Sequence, residues 1–164
     1  MNKVLLSILT ALSLQATPTV GDKIVSFNLP DLYQKNHIVS DEEYKGKVLL
    51  VNLWASWCGG CKEEMPLFVK LQNEFSKDKF VVLLANIDSD ADNAKEFLNK
   101  VDKDKTLTCI YDKEKQLPKA YKAIGMPSSY LIDKDGKISY IYVGSLSAQK
   151  LDDIKQKIKL LLEK

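Results

Sequence analysis

Trp54-Ala55-Ser56-Trp57-Cys58-Gly59-Gly60-Cys61-Lys62-Glu63-Glu64-Met65-Pro66 is the stretch on which the reading of this chain turns. Ahead of it, Val48-Leu49-Leu50-Val51-Asn52-Leu53 is an apolar run of strand length, rich enough in β-branched residues to be a buried strand. Behind it, Leu67, Phe68, Leu71 and Phe75 recur at the spacing of one apolar helix face. Cys58 and Cys61 therefore stand where a strand hands over to a helix. Free backbone N–H groups and the positive end of the helix dipole favour a thiolate there, and such places lower a thiol pKa from ~8.5 to between ~3.5 and ~7.5. Two intervening residues let the sulfurs close into a small ring. A thiolate that attacks and a second thiol that resolves the mixed disulfide are the elements of disulfide exchange.

Other uses of a CxxC are weighed against this one. Half of a zinc site needs a second ligand pair at short spacing, and the chain offers only Cys109 and a lone His37. A purely structural disulfide across two residues gains little chain-entropy stabilisation. A CxxC beside a βαβ pattern is the signature of a thioredoxin-like redox motif.

Toward the N-terminus, Met1-Asn2-Lys3 and the apolar run Val4 to Leu14 have the form of a secretory signal over residues 1–16. The run is too short to span a bilayer comfortably, and Thr17-Pro18-Thr19 breaks it. Export places the CxxC where disulfides persist, in a periplasmic or other extracytoplasmic compartment, soluble after cleavage or anchored at the N-terminus. The about 148 residues that remain suffice for one domain, expected over residues 21–164. Hydrophobic content of 45%, charged content of 28% and a net charge of +2 are ordinary for a globular domain. There is no arginine, so the fork-shaped reader of phosphates and bases is missing, which argues against specific nucleic-acid binding.

Between Gly21 and Lys45, the pieces Ile24-Val25-Ser26-Phe27 and His37-Ile38-Val39 suggest a small β-hairpin. Toward the C-terminus, Phe80 to Ile87 is a continuous apolar run that suits a parallel strand covered on both faces. Asp90 to Val101 is a helix with Ala94, Phe97, Leu98 and Val101 inward, and Thr106 to Tyr111 a strand with Leu107, Cys109 and Tyr111 on one side. Cys109 is a small buried hydrophobe there, or else the odd cysteine of an intermolecular bridge. Leu117 to Ile124 makes a short helix closed by Gly125 as a left-handed cap. Met126-Pro127 precedes a strand, Lys134-Asp135-Gly136-Lys137 is a hairpin turn, and Ile138 to Val143 is the returning strand. Ser147 caps an amphipathic terminal helix with Leu151, Ile154, Ile158 and Leu161 inward. The order of elements gives an α/β sheet, parallel in part and antiparallel at one side.

Trp57-Cys58-Gly59-Gly60-Cys61, Pro66, and Gly125-Met126-Pro127 before Tyr130-Leu131-Ile132-Asp133 resemble the thioredoxin superfamily. More narrowly the chain resembles exported TlpA/ResA-type thiol–disulfide oxidoreductases, through Phe27-Asn28-Leu29-Pro30-Asp31, Gly46-Lys47, the Asn52-to-Trp57 run and the insert over 88–124. The resemblance implies a thioredoxin-like fold, a central mixed β-sheet flanked by helices with an N-terminal β-hairpin. It implies that Cys58 is the exposed nucleophile, Cys61 the buried resolving thiol and Pro127 a cis-proline beside them. Trp57 and Met126 would contact the client, the Met126 backbone pairing with an extended peptide. Relatives of this type carry Asn at the place of Asn52 and a glutamate matching Glu64. Helix spacing independently sets Glu64 on the face of Leu67, Phe68 and Leu71 and three residues from Cys61, where it would carry the Cys61 proton. Glu63 points away and suits the helix dipole.

Gly60 departs from the proline common at that place. Two glycines bring no cation beside Cys58, which favours a reductase over a strong oxidant. The reading is a reductase of extracytoplasmic client disulfides, apocytochrome c among the candidates. It would be recharged by a membrane thiol reductant and act as a monomer, with no cofactor or metal besides the Cys58–Cys61 pair. The alternatives are a peroxiredoxin-like thiol peroxidase, for which Ala55 stands where a Thr would be, and a metal-binding thioredoxin-fold carrier, for which the cysteine spacing is one residue short.

Overall fold

The computed structural model describes residues 17–164. The expected signal segment, 1–16, lies outside the described residues. Five strands form the main sheet: β3 (Val48–Trp54), β4 (Phe80–Asn86), β5 (Thr108–Tyr111), β6 (Ser128–Ile132) and β7 (Ile138–Val143), in the order β5-β4-β3-β6-β7. β3 runs parallel to β4 and antiparallel to β6, so the sheet changes character at its centre. Two further strands, β1 (Asn28–Pro30) and β2 (Ile38–Ser40), make a separate antiparallel pair. Helices α1 (Gly59–Asn73), α2 (Ala91–Val101), α3 (Gln116–Tyr121) and α4 (Ala148–Glu163) and a short 3-10 helix at Asp41–Tyr44 are the other elements among the described residues.

Every residue of β3 and β4 is buried, as continuous apolar strands covered on both faces must be. Leu50 and Trp54 of β3 pack with Phe68 and Leu71 of α1 and Ile154 and Ile158 of α4. On the other face, Leu49, Val51 and Leu53 pack with Phe27, Leu29, Leu117 and Tyr121. The alternation along one strand thus builds two half-cores, and the CxxC follows from the end of the strand that both share.

Several local expectations are corrected. The N-terminal pair is shifted along the chain: the first strand is Asn28–Pro30, and Ile24 to Phe27 does not pair with His37 to Val39. Asp41 is the reason, since its carboxylate accepts from the Phe27 N–H and the Ser26 hydroxyl while the Ile24 N–H is drawn to the Gly136 carbonyl. β5 begins at Thr108 rather than Thr106, because the Asp102 carboxylate takes the amides of Thr106 and Leu107. α3 ends at Tyr121, and it is Lys122, φ 48°, that adopts the left-handed cap conformation rather than Gly125. In α1, Leu67 is only half-buried, as is Phe75, which falls beyond the end of the helix, whereas Met65 and Gln72 are enclosed. Gln72 is tolerated there because its amide accepts from the Val82 N–H at 2.7 Å and donates to the Phe80 carbonyl at 3.0 Å.

Candidate active site

The loop that leaves β3 is held from below. Asp88, buried just after β4, accepts the Ser56 N–H and hydroxyl and the Asn86 side-chain amide. The Ile87 N–H meets the Trp54 carbonyl at 3.0 Å, and the Cys58 N–H meets that of Ala55 at 3.2 Å. These bonds turn the chain so that Cys58 becomes the N-cap of α1, its sulfur accepting the Cys61 N–H at 3.3 Å. That amide is one of those a helix start leaves without an internal partner.

Cys58 and Cys61 are joined in a disulfide. Cys58 retains 9% exposure and Cys61 none. Beside them the Met126–Pro127 peptide is cis, and the Pro127 ring lies so close to Gly60 that a β-carbon there would be 3.5 Å from Pro127 Cδ. The segment after β7 closes the site on another side. The Gly144 N–H donates to the Pro127 carbonyl at 2.8 Å and the Leu146 N–H to Glu64 Oε2 at 3.0 Å. Between them Ser145 points at Gly60, where its hydroxyl would be 2.1 Å from an added β-carbon.

Glu64 is fully enclosed, one helical turn beyond Cys61. Its carboxyl accepts the Leu146 N–H and one Asn52 amide N–H. Burial is the dominant influence and pushes it up to about 7, although both hydrogen bonds pull the other way. A carboxyl with a raised pKa one helical turn from Cys61 has the acidity that a proton acceptor for its thiol would need. Glu63 is exposed.

Exposed apolar side chains lie on the chain segments that carry the disulfide and the cis-proline. Trp57 is 65% exposed and Ile124 89%, with Val143 and the half-buried Met126 nearby on the chain segments that flank Pro127 and Gly144. Cys109 is not part of this site. It lies in the core on β5, two strands away from β3, and burial pushes its thiol far up. His37 sits on the β1–β2 hairpin with Nδ1 3.9 Å from Asp31. Among the described residues no three His, Cys, Asp or Glu side chains gather as metal ligands do.

Sequence reasoning missed Asp88, Ser129, Ser145 and the Leu146 amide. Asp88 could have been suspected as an acid closing an apolar run. A backbone amide has no sequence signature, and its partner is 82 residues away.

Comparison with known proteins agrees with this geometry. The family model described as Redoxin matches residues 19–158. The thiol-disulfide oxidoreductase ResA of Geobacillus thermodenitrificans is 31% identical over 137 residues, 84% of this chain and 75% of that protein. The thioredoxin-like protein YneN of Bacillus subtilis is 33% identical over 133 residues, 80% of this chain and 76% of its own. Among solved structures, one assigned as a thiol:disulfide interchange protein DsbE from Chlorobium tepidum superposes with a TM-score of 0.79 at 33% identity, covering 88% of this chain and 99% of that one. The chain matches the family model over most of its length, folds as the Chlorobium tepidum protein does and presents a CxxC pair, so it belongs to the Redoxin family, as a thiol–disulfide oxidoreductase of the ResA/DsbE type.

Proposed function

We propose that this protein reduces disulfides in client proteins outside the cytoplasm, with Cys58 as nucleophile and Cys61 as resolving thiol. The observation that carries the reading is the contrast within the pair: Cys58 keeps a path to solvent, while Cys61 has none and lies one turn from the enclosed Glu64. In the reduced protein the Cys58 thiolate attacks one client sulfur, and the client's other sulfur leaves as a thiolate. Cys61 then gives its proton to Glu64 and attacks the Cys58 sulfur, releasing the second client thiolate. Two electrons pass to the client and the Cys58–Cys61 disulfide is regenerated. A membrane thiol reductant restores the dithiol.

Trp57, Ile124 and Met126 offer an apolar rim for the client, and Pro127 leaves the Met126 backbone free to pair with an extended segment. Apocytochrome c, with its closely spaced cysteines, is a client of the right form. The apolar run Val4 to Leu14 supports export. No further cofactor or metal is needed for these steps.

The test is mixed-disulfide trapping in the exported compartment. Cys61→Ser should accumulate covalent adducts through Cys58 that disappear with dithiothreitol. Cys58→Ser should accumulate none, and Cys109→Ser should match the parent. Equal trapping by Cys58→Ser would reverse or share the roles.

A further inference from the structure

Three enclosed polar side chains meet beneath α1. Asn52 of β3 and Ser129 of β6 face one another in the antiparallel register, and Glu64 approaches them from the helix. The Asn52 amide nitrogen donates to Glu64 Oε1 at 2.8 Å and to Ser129 Oγ at 2.9 Å. All three residues are buried, and Asn52 Oδ1 accepts no hydrogen bond.

A carboxamide turned about its last bond exchanges two donors for one acceptor. In the orientation seen, both N–H groups are used and only the oxygen is left over. In the reverse orientation the amide oxygen would face the Glu64 and Ser129 oxygens and both of these hydrogen bonds would be lost, which is the costlier arrangement. The preference depends on there being two acceptors, and Ser129 is the second. Without its hydroxyl, one N–H is orphaned even in the present orientation, and the amide is no longer held with its nitrogen on the carboxyl.

The geometry points to Ser129 as a positioning residue for disulfide exchange: by accepting the second Asn52 N–H, it keeps a donor turned on Glu64 and so favours the carboxylate. The inference rests on the reading of Glu64 as acceptor of the Cys61 proton. The groups that face Glu64 are few. β3 and β6 contribute the neutral Asn52 and Ser129, the segment before α4 contributes the Leu146 amide, and Cys61 lies on its own helix face. No charged side chain from any of these elements contributes to its titration. Ser129 therefore acts on a carboxyl that burial raises to about 7 and that its hydrogen bonds pull back toward the charged form.

The test follows the Glu64 side-chain carboxyl carbon by NMR across pH in the oxidised full chain, together with the pH profile of mixed-disulfide release. Ser129→Ala should move the titration midpoint upward by about half to one unit, leaving about three- to tenfold less carboxylate well below the midpoint. Ser129→Thr, which keeps the hydroxyl, should titrate as the parent. Ser129→Val, with the shape of Thr and no hydroxyl, should follow Ser129→Ala and asks the same question at equal volume should the alanine variant fail to fold. An unmoved midpoint in the folded variants lacking the hydroxyl overturns the positioning role, whatever the rates do. A midpoint that moves while release does not follow shows that Ser129 sets the Glu64 protonation but overturns its part in disulfide exchange, together with the reading of Glu64 as acceptor of the Cys61 proton.

Discussion

At the scale of single residues, Glu64 makes the fold itself sensitive to pH. Its carboxyl titrates near about 7 in the folded chain against an ordinary value of 4.5, because burial disfavours the charge. The folded state therefore holds this proton more tightly than the unfolded state does. The contribution to stability is most favourable below pH 4.5 and falls as pH rises toward about 7, a loss of roughly 3 kcal/mol across that window. In Glu64→Gln that slope should vanish, while Glu63→Gln, at an exposed position, should keep it; urea titrations between pH 4 and 8 measure both. A slope that survives in Glu64→Gln would place the buried proton elsewhere. Glu64 was legible in the sequence because a charge at an apolar helical spacing stands out. Ser129 was not, since a serine in a strand carries no sign of which side chain crosses to meet it.

At the scale of elements, the segment 144–146 governs how tightly the site is assembled. It bonds to the cis-proline carbonyl on one side and to Glu64 on the other, and Ser145 fills the room beside Gly60. A methyl group at position 60 meets only the end of a serine side chain, which can rotate away. Gly60→Ala should accordingly cost under about 1 kcal/mol, helped by the better helix propensity of alanine. Gly60→Val brings further carbons toward Ser145 Cβ and Pro127 Cδ, both 3.5 Å from the first added carbon, and should cost about 1–3 kcal/mol as the segment is pushed out. Chemical denaturation compares the two, and equal tolerance of both would mean that the segment yields freely. Every strand of the main sheet and each of α1 to α4 could be placed from apolar periodicity and turn residues, whereas the 3-10 helix Asp41–Tyr44 could not. What escaped was where strands start. Asp41 and Asp102 each claim two donors near a strand that apolar runs alone would have lengthened or moved.

At the scale of the whole molecule, the two glycines between the cysteines bring no cationic side chain, and Cys58 stands at the start of α1, where the helix dipole favours a thiolate. The reduction potential should then lie nearer ~−270 mV than the ~−120 mV of a strong oxidant. Equilibration with glutathione buffers and mass spectrometry gives the value, and a result at the oxidising end would point to an oxidase instead. The route by which the chain enters the fold also has a consequence. The Gly21 N–H binds the Ile138 carbonyl, the Ile138 N–H binds that of Asp22, and Lys23 bridges to Lys137, all at the start of β7. β7 then runs six residues to Val143, which pairs with Ser128 next to Pro127, a span of about 17 Å along the strand. The molecule thus has two poles, with the leading segment stitched to one and the disulfide opening at the other. An attachment made ahead of Thr17, to a lipid bilayer or a resin bead, would pull on the pole at the start of β7 and leave the disulfide facing away from it. Protein immobilised through its N-terminus should reduce a bulky client as fast as it does free in solution, and protein immobilised through a single azide-bearing side chain introduced at the exposed position 124 should not.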